Sequence, residues 1–224
     1  MANRDARIGR IPLRHLTPSQ PEDRWPAKAF AGEVVPFGVT AFREGHGILG
    51  VDLLLVDPAG TETRHAMSPG ATGSDRWEAT VAIEVEGDWH FRVEAYSDDW
   101  ATWLHNAEIK IAADQDVELV FAMGAELIDG RAGKVFADAR TAFRDSSLTG
   151  SARLKVATDA RLAKAIADSP IGSLHTVSDQ RVLHVERERA AVGSWYEFFP
   201  RSEGAKRKKD GTATDAQKAK PNDK

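Results

Sequence analysis

Apolar and polar residues alternate with a period of two through the first half of the chain, and the period lengthens toward that of a helix in the second half. Val34 to Phe42 is a strand candidate, with Pro36 arguing for an edge or bulge near its start. Ile48 to Val56 is a short apolar run stopped by the turn residues Asp57, Pro58 and Gly60. Trp77, Ala79, Val81 and Ile83 alternate with Glu78, Thr80 and Ala82, and after Gly87 and Asp88 the alternation resumes with Trp89, Phe91, Val93 and Ala95. Two alternating runs across a short Gly/Asp turn predict a hairpin. Trp103 to Ile111 reads as a further extended segment, and the repeated short strands predict an immunoglobulin-like β-sandwich.

Near Asp114 the period changes. Val117, Val120, Phe121, Gly124, Leu127 and Ile128 fall on one helical stripe between Gln115 and Leu127, with Asp114 placed to cap it. A second helix is predicted over Ala132 to Phe143, on the stripe of Val135, Phe136, Ala139, Ala142 and Phe143. A third runs over Thr158 to Ala167, capped by Thr158 or Asp159, packed through Leu162, Ala165 and Ile166, and ended by Pro170 and Gly172. Strand character returns at Gln180 to Arg187. Strands, helices and a last strand make an α+β chain: a sandwich with an inserted helical bundle. The expected division is an N-terminal arm over 1–27, a β-sandwich domain over 28–113 and 178–190, and an inserted helical domain over 114–177.

The stretch from Val185 to Gly204 ends in the aromatic run Trp195, Tyr196, Phe198, Phe199 and Pro200. Short and apolar on both faces, it reads as a strand buried on both sides, as in a closed barrel or a parallel sheet. SWYEFFPRSEG resembles the first barrel strand of the α-amylase superfamily. With VERERA ahead of it, RWPAKAFAGE (24–33), FREGH (42–46), DRW (75–77), RVEAYSDDWATWLHNAEIKI (92–111) and QDVEL (115–119), the chain resembles the α-1,4-glucan:maltose-1-phosphate maltosyltransferase family.

The resemblance implies a sandwich with an inserted bundle that helps form a homodimer, followed by a catalytic (β/α)8 barrel. Residues 191–204 would be the first strand of that barrel, which is otherwise absent. It further implies transfer of maltosyl from α-maltose 1-phosphate to an α-1,4-glucan, with retention through a glycosyl-enzyme intermediate. The family's catalytic carboxylates lie on later barrel strands, so no catalytic residue is carried over. The expectation is a non-catalytic segment, inactive alone, whose sequence stops inside a loop as a truncated reading frame would.

Composition narrows the alternatives. The 224 residues are 42% hydrophobic, enough for a core of one or two domains. The net charge of −4 hides a split, since residues 205–224 hold seven Lys or Arg against three Asp, leaving −8 on the rest. An acidic globular part is a poor match for nucleic acid, and the tail has too little apolar surface to order and reads as a disordered basic loop. Cysteine is absent, which excludes a disulfide framework and thiol catalysis. No apolar stretch reaches the length of a membrane span or a signal peptide, and the expected compartment is the cytoplasm.

Candidate chemistry is sparse. Asp98 and Asp99 form a carboxylate pair, but neighbours on a strand face opposite ways, so turn chemistry is the better reading. Glu186, Arg187, Glu188 and Arg189 alternate in sign as surface ion pairs do. The seven histidines show no i, i+4 pair and no HExxH, and Gly45, Gly47 and Gly50 lack the Lys and Ser/Thr of a phosphate loop. No catalytic, cofactor-binding or metal-ligating residue is therefore assigned. Trp89, in register with Phe91 and Val93, belongs to the core. Trp100 and Trp103, with Tyr96, form either an exposed platform on which an α-glucan could stack or a surface buried against the barrel.

Overall fold

The computed structural model describes residues 10–21, 24–193 and 208–209. Ten strands and five helices follow in the order β1 (Leu13–Thr17), β2 (Ala27–Phe30), β3 (Glu33–Ala41), β4 (Leu49–Val56), β5 (Glu62–Ala66), β6 (Ser68–Pro69), β7 (Arg76–Ile83), β8 (Gly87–Asp98), α1 (Asp99–Ala112), α2 (Val117–Leu127), α3 (Lys134–Arg144), α4 (Gly150–Ala157), α5 (Ala160–Asp168), β9 (Gly172–Val177) and β10 (Arg181–Glu186). The fold is α+β. Residues 1–188 form one unit and 189–224 a second, of which the described part carries only the end of a 3-10 turn, Glu188–Ala191. The aromatic run at Trp195 to Pro200, expected as a barrel strand, lies outside the described residues, as does nearly all of the basic tail.

The strands form two sheets, ordered β1-β3-β7-β6 and β2-β10-β8-β4-β5, with β9 added to β8. Inward residues of both sheets share one core: Val35, Phe37 and Val39 of β3 meet Leu53 and Leu55 of β4 and Phe91 and Val93 of β8. Phe37 and Phe91 contact edge to face at 5.2 Å between centroids, the arrangement that aromatic quadrupoles favour. Pro36 pairs with Thr80 of β7, while β1 reaches β3 only from Gly38 onward, so the proline sits where that edge is unpaired.

The hairpin expected at Gly87 does not form. β7 pairs with β3 and β8 pairs with β4 and β10, so the turn carries the chain from one sheet to the other. Gly87 has φ of +127°, a conformation open to glycine. Alternation puts one face of each strand inward whichever strand it pairs with, and both sheets satisfy the same pattern.

The segment from Trp103 to Ile111 is helical rather than extended. α1 starts directly at the end of β8, so the helices begin at Asp99 and not at Asp114. The cap of α2 is Asp116, in a left-handed conformation. α4, absent from the sequence-based expectation, precedes α5, whose predicted cap Asp159 accepts from the Arg161 N–H. Residues 172–177, expected within the helical span, form β9. Trp100, Trp103, Ala107, Phe121, Phe136, Phe143, Leu162 and Ile166 build a second core among the five helices.

The helices leave and rejoin the sheet at one place. Asp98, the last residue of β8, pairs with Gly172, the first of β9, and the Asp99 N–H donates to the Ile171 carbonyl at 3.1 Å. One edge of the long strand β8 therefore carries β10 along its first half and β9 along its second.

Candidate functional site

The carboxylate pair sits at this junction. The Asp98 carboxylate caps α1 by accepting from the Ala101 N–H at 2.7 Å. Asp99 accepts from the hydroxyls of Ser97, at 3.1 Å, and Ser173, at 3.2 Å, and Arg43 donates to the same Ser97 hydroxyl. The two carboxylates are thus committed to separate structural tasks. Burial pushes the Asp98 carboxyl above its ordinary range, against the pull of the Ala101 N–H and with a further push from Asp99.

The aromatic platform does not exist. Trp100 and Trp103 are each 6% exposed and tilted against each other at 4.6 Å, and Trp100 stacks on Phe143 while Trp103 is tilted against it. Trp103 Nε1 donates to the Val120 carbonyl at 2.8 Å. Both indoles are covered by this chain's own helices, so neither the platform nor a surface awaiting a barrel describes them. Tyr96 is buried as well. Trp89 is core, as expected, with its Nε1 donating to the Val85 carbonyl at 2.8 Å.

On the outer face of the larger sheet, Arg64 of β5 donates to Asp52 of β4 at 2.6 Å and to Glu94 of β8 at 2.9 Å. His175 of β9 lies 2.8 Å from the other Glu94 oxygen and stacks on Tyr96. Burial opposes charge at both Arg64 and Glu94. Their mutual hydrogen bonds, joined by those to Asp52 and His175, outweigh it, so Arg64 is held above and Glu94 below the ordinary value. Burial, reinforced by Asp52, raises the Tyr96 phenol. Four strands are tied together by groups that satisfy one another, which is the chemistry of a clamp and not of a reacting centre. Among the described residues no group of three or more His, Asp or Glu is placed to hold a metal ion. Glu186 of the alternating charge run pairs with Lys28 at 2.6 Å, a surface ion pair as expected.

Several clefts are open among the described residues, including two that lie away from the clamp. A groove of ≈ 790 Å³ runs between α1 and α2, with Trp103, Ala107 and Val120 as its floor and Arg43, Lys110 and Met123 on its sides. A cleft of ≈ 470 Å³ lies beside β2 and β10, walled by Trp25, Arg24, Asp88, Gln180 and His184. Trp25 is 69% exposed. The sequence reading gave it no role, although it stands between Arg24 and Pro26, outside any alternating register that would bury it.

Taken together, these features define an α+β domain whose assembled carboxylates serve caps and ion pairs. Residues 9–187 match the sequence model described as alpha-1,4-glucan:maltose-1-phosphate maltosyltransferase, domain N/S, and the chain belongs to that family. Alpha-1,4-glucan:maltose-1-phosphate maltosyltransferase 2 of Streptomyces coelicolor is 43% identical over 96% of this chain and 33% of its own length. Maltosyltransferase 1 of the same organism is 40% identical over 98% of this chain and 34% of its own. The protein of that name from Arcanobacterium haemolyticum is 39% identical over 89% and 30%. The chain thus spans about a third of the length of these relatives.

Proposed function

We propose that this chain is a non-catalytic part of a maltosyltransferase that moves maltosyl from α-maltose 1-phosphate to α-1,4-glucan chains. Its task is to pack against the catalytic barrel and to supply a homodimer contact through the helices, with the two sheets forming an immunoglobulin-like sandwich and the helices its insertion. The observation that carries this reading is the match of residues 9–187 to domain N/S, over a third of relatives bearing that activity in their names. The commitment of Asp98, Asp99, Asp52 and Glu94 to caps and clamps supports it, because glycosyl transfer with retention needs two carboxyls free to flank one bond. Exposed Leu119 and Met123, one turn apart on α2, support a helical contact between copies. No described helix is long and apolar enough to cross a membrane, and the cytoplasm is the proposed compartment.

Reconstitution tests it. The chain is mixed with a polypeptide comprising the part of the Streptomyces coelicolor relative that lies outside the match. Co-elution and a gain of maltosyl transfer over that polypeptide alone are expected. Absence of both, with each component folded, contradicts the packing role.

A further inference from the structure

We propose that the cleft beside Trp25 binds α-1,4-glucan, the indole stacking on a pyranose ring and Gln180, Asp88, His184 and Arg24 meeting its hydroxyls; this rests on the maltosyltransferase reading for the choice of sugar. Of the five tryptophans described, Trp25 alone is mostly exposed, whereas Trp89, Trp100 and Trp103 are buried and Trp77 is partly covered with its Nε1 donating to the Ala41 carbonyl. An indole left in water forgoes the stabilisation that burial gives the others. This one stands at the wall of a cleft, where its apolar face is available to the C–H face of a sugar.

The polar side of the cleft is of the matching kind. Gln180 is exposed and offers both a donor and an acceptor from one planar amide. His184 Nδ1 and Asp88 Oδ1 are 2.6 Å apart, which fixes the imidazole and leaves Nε2 and the second carboxylate oxygen to address a hydroxyl. Among the described residues of its lining are two arginines, Arg24 and Arg181, and two aspartates, Asp88 and Asp179. A lining that mixes both charge signs with an amide and an imidazole offers the donors and acceptors that a neutral polyhydroxylated ligand needs. The ≈ 470 Å³ of the cleft falls within the range of small-ligand sites, about 300–1,000 Å³. β2, which lines it through Ala27, is an edge strand of the larger sheet.

The test is a calorimetric titration of the 224-residue chain with maltoheptaose, repeated with Trp25→Ala, Trp25→Phe and Gln180→Ala and with cellohexaose as the linkage control. Binding to maltoheptaose in preference to cellohexaose is expected. Trp25→Ala should weaken it by about tenfold or more and Trp25→Phe, which keeps an aromatic face, by about threefold or less. Gln180→Ala is an independent loss at a second wall. Circular dichroism of each variant shows that folding is retained. No binding of maltoheptaose at millimolar concentration, or binding untouched by Trp25→Ala, overturns the inference. So does protection of Trp25 from acrylamide quenching by the catalytic polypeptide in a chain that ignores maltoheptaose, since the cleft is then a protein interface. The reconstitution experiment is scored separately and stands or falls without sugar binding to this cleft.

Discussion

Gly124 of α2 lies directly beneath the indole of Trp103, so close that a Cβ at position 124 would overlap the six-membered ring. The indole is held, because its Nε1 donates a hydrogen bond to the Val120 carbonyl and its ring packs against Trp100 and Phe143. Overpacking at Gly124→Ala costs about 1–3 kcal/mol against the roughly 1 kcal/mol that alanine gains over glycine in a helix. Because the ring is held, the upper part of that range is expected, a net loss of about 1–2 kcal/mol. Urea unfolding of the two proteins measures the difference. A stabilised variant would mean that the helices are free to separate there.

Asp98 separates a cap from a charge. Asp98→Ala removes the acceptor for the Ala101 N–H and should cost about 1 kcal/mol. Asp98→Asn keeps an acceptor while removing a charge that burial disfavours. At neutral pH Asp98→Asn should therefore match or exceed the parent in thermal stability. An asparagine variant as unstable as the alanine one would show that the ionised form is needed.

The Arg64 clamp predicts how stability responds to acid. The folded-state pKa of Glu94 is depressed, so its contribution is fully present above the unfolded value and is lost as pH falls through the folded one. Glu94→Gln should flatten the acid side of the stability profile. Arg64→Met leaves Asp52 and Glu94 without their cation and should cost about 2–3 kcal/mol at neutral pH, less than the ~3–5 kcal/mol of a fully buried pair because Arg64 is partly exposed. Equal acid slopes for the parent and Glu94→Gln would remove the clamp from the explanation of stability.

These clamps and contacts also show what could be read from the sequence. Period-two alternation located β3, β7, β8 and β10 to within a residue or two, because each has one face on the core, while β4, buried on both faces, was found as a short apolar run. It could not choose their partners, and so β7 and β8 were joined as a hairpin although they lie in different sheets. α1 was readable in principle: Trp100, Trp103 and Ala107 recur at helical spacing behind the capping Asp98, yet the strand period running up to Asp98 masked the change. α4 carried no apolar stripe to find, since one of its two buried positions is Arg153. That guanidinium is tolerated because it pairs with Glu118 and lies over the Phe121 ring at 4.5 Å, partners contributed by another helix. The fate of Trp100 and Trp103 followed from the same error. Flanking a turn, with Trp103 opening an extended segment, they had an outside, and as residues of α1 they face other helices.

The helical contact between copies is tested by charge. Leu119 and Met123 are 58% and 52% exposed. The chain is expected to sediment as a dimer, and Leu119→Glu combined with Met123→Glu as a monomer with an unchanged circular dichroism spectrum. A parent chain that sediments as a monomer contradicts that contact.

Whether this chain holds any catalytic capacity is decided most directly by orthophosphate release from α-maltose 1-phosphate, with maltohexaose as acceptor and the 224-residue chain as the sole protein. No release above the protein-free blank is predicted, because the carboxylates brought together among the described residues cap helices and bind arginine. Steady release that scales with the concentration of the chain would contradict it.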